Sequence, residues 1–344
     1  MENEHPFSER VLRDMNSAVL VLDSKGRIIY VNDPASRMLE VDEGYREDQS
    51  RFPLLADNAY NDSFHEAIFD AVYHKDETTV RKVPYQAPSG RKYVFLMSSS
   101  YLRESDTEEA QIVITLNDET VAEEMTRKFN DSSNTFTTFL YCFCIWMIIY
   151  ALWEFLGRFI PADFMTHGVE VLGVVMLVFI LHHTSLTWRD LGVTTHEPAK
   201  TIRTAVIVAV CAFAFLCGLK AVARLIDPNC FEPNAPFLDL RRFGIRQILY
   251  ILTAGIQEFL ARSVVQGNLK RIMVGKHTGT LAIVLSSLIF AVLHIHLGFL
   301  FMIGAVILAG LEGILYDKQQ SIFGVWIVHW VFGVSGTLLC LIDH

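Results

Sequence analysis

Cysteine is missing from the first 141 residues; all six fall at positions 142, 144, 211, 217, 230 and 340. No CxxC pair or zinc-ligand spacing occurs among them, so they read as small apolar residues in a reducing setting rather than a disulfide framework. Positive charge is also short: 29 Lys and Arg face 38 Asp and Glu, a net charge of −9, which argues against nucleic acid as a partner. The opening MENEHPFSERVLRDMNSAVLVLD lacks a basic start followed by an apolar core. No secretory signal is therefore expected, and the N-terminal half is expected to stay in the cytoplasm. HExxH is absent. No inverted repeat or paired broken helices are visible, which speaks against a transporter.

What is present divides into two unlike halves. The chain is 51% hydrophobic with mean hydropathy +0.31, yet residues 1–130 hold most of the charge and sum to about −10. The remainder is near neutral and dominated by Leu, Ile, Val and Phe. In the first half, Ala18–Leu22 and Arg27–Val31 read as strands joined through Asp23-Ser24-Lys25-Gly26, a hairpin signal. Asn32-Asp33, with Pro34, opens a short helix. Asn61-Asp62 opens a second, Ser63–His74, with Phe64, Ile68 and Val72 on one face. Strand-like runs follow at Thr78–Tyr85, Tyr93–Tyr101 and Ala110–Leu116.

That order resembles a PAS domain over roughly residues 8–117: "AVLVLDSKGRIIYVNDPASRML" is similar to the family's opening hairpin and helix. "LNDETVAEEMTRKF" resembles its exit, where Asp118-x-Thr120 leads into a connecting helix. The resemblance implies an α+β fold, a five-stranded antiparallel sheet with flanking helices. It also implies a sensor of a small-molecule or protein signal, or a purely structural or dimerising module. The missing Cys excludes a flavin–cysteinyl photosensor. His65 and His74 lie on the helix that supplies a haem ligand in some members, but a lone helical His is more often a surface residue. The PAS ligand is not readable.

From Phe136 onward seven apolar segments, roughly 136–157, 165–183, 203–226, 243–267, 279–296, 298–316 and 322–342, approach the ~20 residues that cross ~30 Å of hydrocarbon. The fifth and sixth have almost no loop between them, so one is expected to be broken or re-entrant. The organisation expected is a sensor over 1–120, a connecting helix over 121–135 and an all-α polytopic membrane domain over 136–344. With the N-terminus inside, Arg189, Lys200, Lys270, Arg271, Lys276 and Lys318 fall in inner loops, against Arg158, Arg241 and Arg242 outside. His296 also sits among the apolar runs, as do Glu154, Glu170, His182, His183 and Glu312, which are read singly as interface-reaching or helix-tying groups. Gln257, Glu258 and His294 lie deep within their spans, where ionisable and polar groups normally serve function.

Glu258 and Arg262, at i,i+4, can form a desolvated ion pair on one helix face. Gln257 sits about 100° around the helix and can point elsewhere. His294 and His329 lie on two further spans. Gln257-Glu258-x-x-x-Arg262, Phe290-x-x-x-His294 and His329 resemble, in order, the three motifs of the CPBP intramembrane proteases, which include CAAX prenyl endopeptidases and bacterial Abi-type proteins. Trp188-Arg189-Asp190-Leu191-Gly192 resembles the segment before the catalytic spans. The resemblance implies an integral, multi-pass protein of a bacterial inner membrane that hydrolyses a membrane peptide or lipidated protein. The residue at 257 with His294 would activate water, His329 would stabilise the oxyanion, and Arg262 with Glu258 would brace the helix. It implies no cofactor for this chemistry; zinc on Glu258, His294 and His329 is the alternative.

Two positions depart from the pattern. Gln257 replaces the catalytic Glu and cannot act as a base, and Gly333 replaces the Asn or Asp four residues after His329. Three readings stay open: an engineered Glu→Gln exchange that holds a protease still, a natural pseudoprotease, or Glu258 serving as base with Arg262 tuning it. The competing class is a non-catalytic membrane receptor or immunity-like binding protein. PAS-mediated homodimerisation is a further expectation.

Overall fold

A computed structural model describes residues 15–41, 58–74, 78–102, 111–157, 159–161, 163–228 and 236–341. The chain forms two compact units, Met1–Thr126 and Arg127–His344.

The first unit is an antiparallel sheet in the order β2-β1-β5-β4-β3, built from β1 (Ala18–Leu22), β2 (Ile28–Val31), β3 (Val80–Gln86), β4 (Lys92–Leu102) and β5 (Gln111–Asp118). β1 is buried along its whole length and has strands paired on both its sides. β4 alternates instead: Tyr93, Phe95 and Met97 face the core, the period-2 signature of a half-covered sheet. Helices α1 (Asp33–Leu39) and α2 (Asp62–Tyr73) add Leu39 and Phe64 to that core. Phe64, Tyr85, Phe95 and Tyr93 pack ring on ring with centroids 4.9–5.7 Å apart.

The turns fix the register. Gly26, at φ +79°, closes the first hairpin, while the Asp23 carboxylate accepts from the amides of Lys25 and Arg27 at 3.0 and 2.8 Å. Burial works to raise the Asp23 carboxyl, but these donors and the Arg27 guanidinium outweigh it and hold it below its ordinary value. Asn32 caps α1 by accepting from Ala35 N at 3.1 Å, and the same oxygen accepts from Val19 N at 2.9 Å. Asn61 behaves differently from the expected cap: its side chain pairs with both backbone groups of Gln86, at 2.7 and 3.0 Å. The unpaired edge of β3 is a stronger attraction than the helix end. His65 is half-buried and His74 exposed.

At the exit, Thr120 donates to Asp118 and its hydroxyl accepts from Val94 N at 2.9 Å. From there one unbroken helix, α3 (Thr120–Phe155), runs for 36 residues. At 1.5 Å per residue that is about 54 Å, well beyond the ~30 Å of a hydrocarbon core. The expected connecting helix and first span are therefore a single element.

The second unit continues with α4 (Asp163–His183), α5 (Pro198–Ile226), α6 (Ile245–Ile272), α7 (Thr278–Leu293), α8 (Phe299–Gln319) and α9 (Ile322–Leu338). Each expected apolar segment holds a helix, but among the described residues three, α3, α5 and α6, are long and apolar enough to cross a membrane. α7 and α8 are two separate helices joined by a single turn, Ile295–Leu297, and Gly298 at φ +107°. α6 is buried on all sides from Gln257 to Gln266, which makes it the central element.

Replacing Asn32 with Ala orphans two buried amides and removes a cap, an expected loss of about 2 kcal/mol. Hydrogen exchange across residues 17–41 should accelerate by roughly 30-fold; unchanged exchange would contradict this role for Asn32.

Candidate functional site

α6 carries most of the site, and its geometry is unusual there: Phe259–Gly267 is wound as a π-helix. Such widened turns often mark functional positions. Along this segment Glu258, Arg262 and Gln266 form a ladder. Arg262 Nε donates to Glu258 Oε2 at 2.9 Å and Nη1 to Gln266 Oε1 at 3.0 Å. Nη2 reaches Glu312 Oε2, from α8, at 3.4 Å. Glu258 and Arg262 are both 0% exposed. Gly313 lets α8 approach this closely, because a Cβ there would meet Arg262 Nη1 and Gln266 Oε1 at 3.1 Å.

α9 joins from the other side. His329 Nδ1 donates to Glu258 Oε1 at 2.8 Å, and Tyr250 donates its hydroxyl to His329 Nε2 at 3.0 Å. The carboxylate accepts only, so Nδ1 carries a proton, and in the neutral imidazole Nε2 then accepts from the phenol. Both oxygens of Glu258 are thereby committed.

Gln257 faces away from this network. It is 4% exposed, and its Oε1 has no hydrogen-bonding partner among the described residues. It borders a gap lined also by Val169, Ser286, Phe290 and Leu293. His294 ends α7 with Nδ1 2.8 Å from the Phe290 carbonyl; that bond places the proton on Nδ1 and leaves Nε2 as an acceptor. The Phe290 ring touches both imidazoles, with centroids 4.4 Å from His294 and 5.7 Å from His329.

The structure thus gathers Glu258, Arg262 and His329, and sets Gln257 and His294 beside Phe290 without a hydrogen bond to them. Three participants were not singled out from sequence: Glu312, read as a tie between helices, together with Gln266 and Tyr250. Their signal was only depth in an apolar run, plus helical spacing from the Glu258–Arg262 pair for Gln266. Among the described residues, the group of acidic and imidazole ligand atoms lying within 4.8 Å of one another is Glu258, Glu312 and His329, which differs from the alternative zinc set by Glu312 in place of His294. A divalent ion does not fit this group well, since Arg262 already binds both carboxylates. Glu170 ties α4 to α6 by accepting from Thr253 at 2.8 Å.

Residues 184–194 lie where three helices can be read at once. Asp131 of α3 accepts from Ser185 N and Oγ at 2.8 and 2.5 Å, and Lys128 of α3 lies 3.3 Å from Asp190. Arg271 of α6 donates to the Asp190 carbonyl, and Ser263, next to Arg262, donates to the Leu191 carbonyl at 2.5 Å. Ile322 N, which opens α9, donates to the Gly192 carbonyl at 2.9 Å. Burial works to raise the Asp190 carboxyl, but the Thr187 donors and the Lys128 ammonium hold it below its ordinary value.

Residues 7–72 match the family model of the PAS domain. Residues 243–335, from α6 through most of α9, match that of the type II CAAX prenyl endopeptidase Rce1-like proteins. No curated protein matches the chain. Among solved structures, the chain is similar to a PAS domain from a two-component sensor histidine kinase (24% identity over 33% of this chain and 93% of that one, TM-score 0.24). It is also similar to the PAS domain of the fruit-fly ELK potassium channel (10% identity, 34% and 99% covered, TM-score 0.29). A third is the PAS domain of an HTR-like protein from Haloarcula marismortui (19% identity, 32% and 90% covered, TM-score 0.25).

Removing Arg262 leaves two carboxylates buried without their cation. Arg262→Met should cost about 3–5 kcal/mol, read as a large fall in melting temperature in detergent. Adding Glu258→Leu should recover part of the loss. A single variant that melts like the parent would contradict the ion-pair account.

Proposed function

We propose that this chain, which joins a PAS domain to an Rce1-like CAAX-protease domain, is a regulated intramembrane endopeptidase that hydrolyses a membrane peptide or lipidated protein. The observation that carries the reading is Gln257: an unpartnered side-chain carbonyl, buried beside a gap on the Phe290–His294 side of a braced apolar bundle. A carboxylate in that place would take a proton from water as the oxygen attacks a peptide carbonyl, with His294 Nε2 as a second acceptor. The proton would then pass to the departing amine. Fixed donors in a low-dielectric site stabilise the charge that develops.

Glu258 is a brace in this scheme rather than the base, because Arg262 and His329 hold both its oxygens. The same commitment makes the Glu258–Glu312–His329 cluster an ion-paired support and not a zinc centre. The amide at 257 leaves the chain short of its base, by about 10²–10⁴-fold in rate. This favours a second reading, a non-catalytic receptor that holds a membrane peptide in the same gap. The helices of the second unit cross the bilayer several times, with the acidic sensor on the cytoplasmic side. Its signal, a small molecule, a protein or a second copy of the sensor, travels along α3 to Lys128 and Asp131. From there it passes through residues 184–192 to Ser263 and α6.

Gln257→Glu in membranes should raise cleavage of membrane peptides at least about 10²-fold, and His294→Ala should abolish the gain. A gain that survives His294→Ala sinks this assignment of the base, and no gain at all favours the receptor. In the restored enzyme, deleting residues 1–117 should change the cleavage rate. Asp131→Ala should make the full chain behave like the truncated one; identical rates for full and truncated chains with Asp131 intact would remove the sensor from the account.

A further inference from the structure

Gly333 lies one helical turn after His329 on α9, and a Cβ there would have no room. It would meet Tyr250 Cε1 at 2.3 Å and Cζ and the hydroxyl at 2.8 Å. The Tyr250 ring therefore fills the volume that a side chain at 333 would take, and delivers its hydroxyl to His329 Nε2 at 3.0 Å. The two helices are held in this register from both sides. Trp326 Nε1 donates to the Ile251 carbonyl at 2.6 Å, and Trp330 Nε1 donates to the Gln247 carbonyl at 2.8 Å. The α6 carbonyls and the α9 indoles thus clamp Tyr250 opposite His329.

From this we infer that Tyr250 is the positioning residue for His329, a phenol from α6 standing in for a side chain that Gly333 does not provide. Glu258 accepts from Nδ1 and Tyr250 donates to Nε2, so the imidazole is gripped at both nitrogens and its tautomer is fixed. A glycine at 333 and a tyrosine at 250 are one device: the small residue makes the space that the ring occupies. The inference deepens the hydrolytic reading, in which His329 faces the oxyanion and must be held in one orientation, but the Tyr250–His329 bond stands independently of it.

The test uses the full chain in detergent with 15N-labelled histidine, His329 being assigned by its loss in His329→Gln. In Tyr250→Phe the Nε2 resonance of His329 should move to the position of an unbonded ring nitrogen; an unmoved resonance overturns the inference. Tyr250→Ala/Gly333→Asn should bring the resonance back, because an amide then fills the vacated space. Tyr250→Ala/Gly333→Leu should fill the space without restoring it. Recovery in the Leu pair would show that packing alone sets the shift, and would also overturn it. In the Gln257→Glu background, Tyr250→Phe should lower kcat by about 10²-fold with KM unchanged; an unchanged kcat removes Tyr250 from the reaction. Absence of cleavage by every Gln257→Glu form sinks the hydrolytic reading while the imidazole resonance still decides the Tyr250–His329 pairing.

Discussion

Within the second unit the controlling constraint is a buried cation that must be satisfied. Arg262 lies at the centre of an apolar bundle, where an unpaired charge costs several kcal/mol even after relaxation. Its guanidinium answers with Glu258, Gln266 and Glu312, and Glu258 in turn holds His329. Two of these contacts cross between helices, Arg262 to Glu312 of α8 and His329 of α9 to Glu258, and they decide how α6, α8 and α9 meet. The close approach at Gly313 follows from the same demand. Hydrocarbon packing alone would leave the helices free to slide; the ion-paired ladder gives them one register.

That register sorts the two adjacent polar residues of α6 into different jobs. Glu258 is consumed by the brace, and Gln257, a step around the helix, faces the gap on the Phe290 side. The division matters chemically because a group gripped at both oxygens is a poor base, whereas a buried side chain without a partner is ready to meet water or a peptide. The amide in that position retains the shape of a carboxylate and lacks its basicity. The loop at residues 184–194 adds a mechanical link, since its backbone carbonyls receive Ser263, Arg271 and the first amide of α9. Its other anchors, Lys128 and Asp131, belong to α3, the helix that follows β5 of the first unit.

The first unit was largely readable from sequence because its determinants are local. Alternating burial in β4, the Asp23–Gly26 turn and the Asn32 cap each arise from residues close in the chain. Strand ends moved by one or two positions, as expected where the last pair depends on a neighbouring strand. In the second unit, the Glu258–Arg262 pair was readable from i,i+4 spacing. Glu312 and Tyr250 were not, because their partners lie on other helices 50 and 79 residues away. The π-helical winding at Phe259–Gly267 leaves no local mark, and the absence of a side chain at 333 acquires meaning only beside the Tyr250 ring. The continuity of α3 was hidden by its change from polar to apolar composition.

In the proposed reaction, water meets a peptide carbonyl at the gap lined by Gln257, Phe290 and Leu293, next to His294 in the chain, once a carboxylate is restored at 257. Cleavage by the Gln257→Glu chain in H2(18)O tests it most directly. One 18O atom is expected in the new C-terminal carboxylate of the product, with both product and label lost in His294→Ala. Product without the label, or labelled product that persists without His294, would contradict it.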